Sequence, residues 1–265
     1  MSFLTLDYIG FKSPIINAND KLIDVFTNII QQESNFQLQS GDIVVIASKI
    51  VAMEQNRVID LTTIKASPKA ETLALKANLK PEFVEVVLNE SDSVIGAVRG
   101  ALLTLRKGDV QANAGVDKSN AGINKAILLP SDPDEYALNF KKTVEKKFKI
   151  DKIGVIIADS TTRPLRLGTV GLAIGSAGFP AIVDTRGQSD LFGYKMTITL
   201  HNIADNLAGG SNVLMGESAE SVPFVIIRGL QRFISTYNWQ NNSLKDLRID
   251  PDHCLFFGNV KYDLL

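Results

Sequence analysis

Between Gly154 and Gly193 the chain sets a carboxylate, several hydroxyls and two arginines beside a glycine-rich stretch: G-V-I-I-A-D-S-T-T-R-P-L-R, then L-G-T-V-G-L-A-I-G-S-A-G-F, then D-T-R-G-Q-S-D-L-F-G. Asp159, Ser160, Thr161 and Thr162 with Arg163 and Arg166 suit a metal–phosphate site, because carboxylate and hydroxyl oxygens take hard cations and guanidinium forks take phosphate. Two further acids stand beside turn-forming residues, Asp117 in A-N-A-G-V-D-K-S-N and Glu217 in L-M-G-E-S. Oxygen ligands on short polar loops match Mg2+ or Mn2+, which keep waters and accept phosphate oxygens. Taken singly, each acid reads better as a helix cap or a turn former, and sequence spacing alone does not bring the three together. Asn113, Gly115, Ser119 and Asn120 flank Asp117 and offer donors and acceptors to a base or ribose; the plain alternative is a loop of turn residues. Arg163 and Arg166 could clamp phosphate or carboxylate bidentately, or be a solvated pair. Asp184, Arg186 and Asp190 are as well suited to a structural ion-pair network.

These residues need a scaffold. Val155–Ala158 reads as a buried strand, which puts Asp159 at its C-terminal end, where α/β proteins tend to hold ligands. Upstream, Asp20–Gln32 reads as an amphipathic helix with Leu22, Ile23, Phe26, Ile29 and Ile30 on one face. Ile43–Ala47 is a short apolar strand that leads into Ser48 and Lys49. Pro68–Ala77, Pro81–Asn89, Asp134–Phe148 and Ile203–Met215 read as helices, and a final one starts at Leu230–Tyr237. Val94–Leu105 reads as a β hairpin, Val116–Gly122 as a polar loop, and Met196–Leu200 and Val222–Arg228 as strands. Strands and helices mix without strict βαβ alternation, so the expected class is mixed α/β, of the α+β kind.

Bulk composition narrows the function classes. The chain has 265 residues, enough for one large domain or two intimate lobes. Hydrophobic residues at 45% and charged residues at 22% are ordinary for a globular protein. A net charge of −1 gives no bulk field toward nucleic acid or an anionic membrane. The single Cys254 excludes an internal disulfide and a cysteine-based zinc site, and a reducing cytoplasm is the expected compartment. The N-terminal stretch carries Asp7 and no basic flank, unlike a secretory signal. The longest uncharged run, Leu167–Val183, is broken by four glycines and Pro180, so no membrane span is expected.

Several familiar devices are absent from the sequence. No Walker-type glycine loop occurs, and no G-x-G-x-x-G follows a strand, so a nucleotide would bind by other means, metal-bridged phosphates foremost. His201 and His253 lack metal-ligand spacing and read as hydrogen-bonding or core residues. Cys254 beside His253 is no nucleophile pair, because adjacent side chains rarely face each other.

In their shared order, G-D-I-V-V-I-A-S-K-I-V, A-N-A-G-V-D-K-S-N, L-L-P-S-D-P-D, G-V-I-I-A-D-S, R-P-L-R-L-G, G-L-A-I-G, D-T-R-G-Q-S-D-L-F-G and L-M-G-E with P-F-V-I-I-R-G resemble the coenzyme F420:L-glutamate ligases, also called F420-0:γ-glutamyl ligases. The resemblance runs roughly from Gly10 to Gly229. It implies one F420-ligase-like domain over residues 1–265 with two dissimilar α+β lobes. It implies addition of L-glutamate to a γ-linked acceptor with GTP (or ATP) and Mg2+ or Mn2+, through an acyl-phosphate, by a homodimer with sites near the subunit interface. Carried over by position, Asp117 and Asp159 match the family's metal-binding aspartates. Ser160 stands where a metal-bound threonine is usual, and Glu217 matches the ligand after the M-G pair at Gly216. Asn120 matches a nucleotide-contacting asparagine. Ser48, Lys49 and Pro14 fall in segments that line the nucleotide site. Arg166 joins Asp117 and Asp159 as a residue expected to act in the reaction.

Two departures from the pattern bear on substrate. Met53 stands where a nucleotide-contacting lysine is common, so Lys49 is the candidate phosphate contact. The sequence D-S-T-T-R-P-L-R looks more like a branch of the family proposed to act in folate metabolism. The acceptor is therefore F420-0 or a folate. The alternative to a ligase is a catalytically silent nucleotide-binding relative with a regulatory role, motivated by the lost lysine.

Overall fold

The computed structural model describes residues 4–18, 20–234 and 247–258. In chain order its elements are β1 (Asp7–Phe11), α1 (Leu22–Gln32), β2 (Ile43–Ala47), α2 (Ser48–Glu54), β3 (Val58–Asp60), α3 (Pro68–Ala77), α4 (Pro81–Glu90), β4 (Ser93–Val98), β5 (Ala101–Arg106), β6 (Asp109–Ala112) and β7 (Lys125–Ile127). Then come α5 (Pro133–Phe148), β8 (Gly154–Thr162), β9 (Thr169–Ala177), β10 (Ile182–Asp184), β11 (Leu200–Asn202), α6 (Ile203–Met215), β12 (Phe224–Arg228) and α7 (Gln231–Ile234). The chain divides into two compact units. One comprises Met1–Ile50, Asp132–Ser160 and Val170–Leu247; the other comprises Val51–Ser131, Thr161–Thr169 and Arg248–Leu265. The mixed α/β class read from the sequence is the class observed.

The first unit is built on a five-stranded sheet in the order β1-β12-β2-β8-β9. β12 runs antiparallel to β1 and to β2, whereas β2 and β8 are parallel and in register from Ile43↔Gly154 to Ala47↔Ala158. β2 and the first half of β8 are near-continuous apolar runs, as strands covered on two faces must be. On one face Ile43, Val45, Ile156, Val225 and Ile227 pack with Ile203, Ala204, Leu207 and Ala208 of α6. On the other, Phe224 of β12 meets Phe26 of α1, whose ring also stands edge-on to Phe140 of α5 at 5.5 Å. Each such fully buried side chain contributes about 1.5–3 kcal/mol relative to exposure. Asp42, 1% exposed at the start of β2, is held by both Nε and Nη2 of Arg228 at 2.9 and 2.7 Å. That pairing, with the Asp42 carboxylate beside it, pushes the Arg228 guanidinium further up from its already high value.

The second unit packs α3 and α4 against the sheet β4-β5-β6 and the ribbon β3-β7, with Leu73, Phe83, Val84, Val87, Leu102 and Leu128 in its core. Capping explains where its helices begin. Ser67 accepts from Ala70 N, Pro68 fills the first helical position, and Asn78 closes α3 in the left-handed conformation. The β4–β5 hairpin turns at Gly100, whose φ of 91° few other residues adopt.

Several sequence expectations need correction. Val155–Ala158 is only the buried part of β8, which continues to Thr162, so Asp159 and Ser160 lie within the strand rather than beyond it. The glycine-rich stretch holds β9. Glycine costs little there: Gly175 lies so close to the Pro133 backbone that a side chain would not fit. Met196–Leu200 is not a strand; the strand is Leu200–Asn202. The backbone of Met196 bonds across to residues 187 and 188, donating to Gln188 O and accepting from Gly187 N, beside the isolated antiparallel bridge Ser189↔Lys195. The short β6 and β7 carry too few residues for a period to be visible. The final helix starts at Gln231, and residues 235–237 of its expected span lie outside the described residues.

Candidate functional site

The parallel pair β2 and β8 delivers the site. Their last common rung is Ala47↔Ala158, so Ser48, which follows β2, comes level with Asp159, where β8 continues past the paired stretch. Ser48 is the first residue of α2 and is buried, and its Oγ donates to Asp159 Oδ1 at 2.6 Å. A neutral hydroxyl bonded to a carboxylate fixes its direction without cancelling its charge.

One residue on, Ser160 meets the loop after α6. Its Oγ lies 2.8 Å from Oε1 and 3.0 Å from Oε2 of Glu217, a shared donation to the carboxylate. Asn212, in the last turn of α6, donates from Nδ2 to Glu217 Oε1 at 3.1 Å and to Ser160 Oγ at 3.3 Å. Gly216 makes the bend that brings Glu217 round: its φ is 69° and its N–H bonds back to Asn212 O. The first unit thus gathers Ser48, Asp159, Ser160, Asn212, Gly216 and Glu217. Asn212 is the residue that sequence reasoning missed; its signal was its place five residues before Glu217 at a helix end. Lys49 follows Ser48 in α2 and is half-buried, and Pro14 is exposed in the segment after β1, where Ser13 N bonds to Ser221 O.

Asp117 and Asn120 belong to the second unit. The Asp117 backbone pairs with Ile127, and its side chain accepts from Ser119 N at 2.9 Å and Ser119 Oγ at 2.6 Å, an Asp-led turn. Asn120 is exposed in that turn with φ 57°. Asn113 has a structural task, its Oδ1 accepting from Leu102 N at 2.9 Å. Gly115 is required by the packing of Leu129 and Gln111 over it. Arg163 and Arg166 are exposed on the β8–β9 turn, where Arg166 N bonds to Arg163 O. Asp184 and Arg186 form the local ion pair foreseen as one alternative, at 2.6 Å and exposed, while Asp190 accepts from Phe192 N and Tyr194 N. The arginine fork holds the Asp184 carboxyl down to about 2. His201 is within 3.1 Å of Asn206 Nδ2, a hydrogen-bonding histidine as read.

Residues 10–229 match the model of the family described as F420-0:Gamma-glutamyl ligase. The chain belongs to that family. It is 40% identical over 196 residues to the coenzyme F420:L-glutamate ligase of Methanopyrus kandleri, covering 74% of this chain and 77% of that one. It is 39% identical over 226 residues to the same-named protein of Methanocaldococcus jannaschii, covering 84% and 88%. With that of Methanothermobacter thermautotrophicus it shares 37% over 217 residues, 82% and 85%.

For a F420-0:γ-glutamyl ligase family member, the donor set is the useful test of the divalent cation that the resemblance implied. Asp159, Ser160 and Glu217 present only carboxylate and hydroxyl oxygens, the ligand type of Mg2+ and Mn2+. Among the described residues no three His, Cys, Asp or Glu side chains gather as a ready-made cage. Among the described residues no helix is long and apolar enough to cross a membrane.

Proposed function

We propose that this chain is a ligase that joins L-glutamate through an amide bond to a γ-glutamyl acceptor, coenzyme F420-0 or a folate, with GTP or ATP and Mg2+ or Mn2+. The observation that supports it most directly is the oriented oxygen set of Asp159, Ser160 and Glu217 at one edge of the sheet, in a chain whose relatives carry the ligase name.

In this reading the acceptor carboxylate oxygen bonds to the γ-phosphorus as the bond from that phosphorus to the β–γ bridging oxygen breaks, releasing nucleoside diphosphate. The glutamate amine then attacks the acyl carbon. The carbon–oxygen bond to phosphate breaks, inorganic phosphate leaves, and the amine gives up a proton. Asp159, Ser160 and Glu217 of the first unit would hold a divalent cation, and Asp117 of the second unit is proposed as a cation ligand. Such a cation would supply neutralisation of charge on the phosphates and the acceptor carboxylate. Ser48 keeps the Asp159 carboxylate in one orientation. Lys49, Asn120, Pro14 and the Gly216 turn are proposed to border the nucleotide, and Arg166 to pair with phosphate or substrate carboxylate. Homodimer assembly and a cytoplasmic setting belong to the same proposal.

Mass spectrometry of products tests it. The protein is incubated with L-glutamate, Mg2+ or Mn2+, GTP or ATP, and either F420-0 or a tetrahydrofolate monoglutamate. One added glutamyl mass on an acceptor supports the ligase and names the substrate. Intact nucleotide and unchanged acceptors favour the silent relative, the reading for which Met53 speaks.

A further inference from the structure

We infer that Asn212 is a positioning residue that fixes the hydroxyl of Ser160 and the carboxylate of Glu217 for a divalent cation, an inference that rests on the cation-binding reading above. The orientation of its carboxamide follows from chemistry. An ionised carboxylate only accepts, so the atom 3.1 Å from Glu217 Oε1 is the amide nitrogen. The same NH2 group lies 3.3 Å from Ser160 Oγ, whose single proton is directed at Glu217. The hydroxyl oxygen therefore accepts from Asn212 with one lone pair and retains the other for a cation. Without Asn212 the Ser160 hydroxyl keeps its bond to Glu217 but loses the N–H that fixes its remaining lone pair, and Glu217, exposed at the end of a glycine-led bend, loses one of the bonds that orient it.

The fold builds this contact from two sides. At the start of α6, Asp205 is bonded by Asn202 Nδ2, and its Oδ1 accepts from Ala173 N of β9 at 3.1 Å. Further along, Gly171 of β9 lets the helix approach so closely that an added Cβ would stand 2.8 Å from Asn212 Cβ and would strike Ala208 O. Helix α6 is thus set against β9 at both Ala173 and Gly171, and Asn212 reaches Ser160 of the neighbouring strand β8.

The test is Mn2+ binding, read from the electron paramagnetic resonance signal of the free ion, with and without GTP. The proteins are wild type, Asn212→Ala, Asn212→Leu, Asn212→Gln and Glu217→Gln. Leucine fills a similar volume without an N–H, and glutamine restores the donor on a longer arm. The expected result is Mn2+ affinity about 10–100-fold weaker in Asn212→Ala and Asn212→Leu, partial recovery in Asn212→Gln, and melting temperatures within a few degrees of wild type. Wild-type affinity in Asn212→Leu, with affinity lost in Glu217→Gln, would overturn the inference and leave Asn212 a packing residue. No Mn2+ binding by wild type, or equal binding by Glu217→Gln, would overturn the site reading itself and the inference with it.

Discussion

Ser48 and Asp159 are separated by 111 residues in sequence, yet each stands one step beyond the paired rung Ala47↔Ala158, and Ser48 Oγ donates to Asp159 Oδ1 at 2.6 Å. Parallel pairing makes this possible. In-register parallel pairing brings Ser48, which follows the end of β2, level with Asp159, where β8 runs on past the last common rung. The expected consequence is that Ser48→Ala lowers turnover about 10–100-fold by releasing the carboxylate's orientation. Loss of one hydrogen bond of a buried hydroxyl costs stability by only about 0.5–1.5 kcal/mol. Steady-state kinetics beside a thermal melt separate the two effects. Wild-type turnover in Ser48→Ala would show that the bond serves the fold alone.

The aspartates are predicted to matter by their charge. Asp159→Asn keeps an acceptor for Ser48 but removes the negative charge, and is expected to reduce turnover by two orders of magnitude or more, on the order of what loss of a metal ligand costs, with an unchanged circular dichroism spectrum. Asp117→Asn is expected to do the same. Asparagine retains an oxygen for Ser119 N, so the turn that Asp117 leads survives the change. Full turnover in either variant would leave that residue as a turn former only.

The Asp184–Arg186 pair carries a pH prediction. Its carboxyl titrates near 2 against an ordinary 3.8, because Arg186 hydrogen-bonds the charged form. A depressed value means that the stabilisation is fully present above the unfolded value of 3.8 and is lost as pH falls toward 2. The loop is therefore expected to be indifferent to pH between about 5 and 8 on this account. In a carboxyl-carbon NMR titration, Arg186→Gln should move the Asp184 midpoint upward. An unmoved midpoint would mean that the guanidinium is not what holds the carboxyl down.

The sequence made the central strands and the longest helices legible because their signals are local. Apolar runs marked β2 and β8, proline marked the starts of α3 and α4, and a charged helical pattern marked α5. Asp159, Ser160 and Glu217 were readable as oxygen donors for the same reason. What joins them was not readable. The register that sets Ser48 against Asp159 is a property of two strands more than a hundred residues apart, and nothing in either segment encodes it alone. Asn212 was hidden because it lies in a helix whose pattern announces packing, and its chemistry depends on how closely that helix approaches β9. Met196–Leu200 misled because alternating residues satisfy a strand's period while the backbone there makes single bonds back to residues 185, 187 and 188 rather than a regular ladder.

Gly171→Ala tests that approach without removing any polar group. The added Cβ would meet Ala208 O and stand 2.8 Å from Asn212 Cβ, and a helix backbone does not yield as the end of a flexible side chain would. Helix α6 must move out by a few tenths of an ångström or more, which overpacking estimates place at about 1–3 kcal/mol of stability. Asn212 moves with the helix, and its 3.3 Å contact to Ser160 Oγ is already at the long end for a hydrogen bond. The expected outcome is therefore a lowered melting temperature together with weakened Mn2+ binding. Gly209→Ala provides the comparison, because a Cβ there meets only Gly171 O at 3.7 Å, an ordinary contact. It should leave Mn2+ binding unchanged and the melting temperature at or above that of wild type, since alanine is the better helix former. If Gly171→Ala melted earlier but bound Mn2+ as wild type does, the spacing of α6 from β9 would matter to the fold and not to the site.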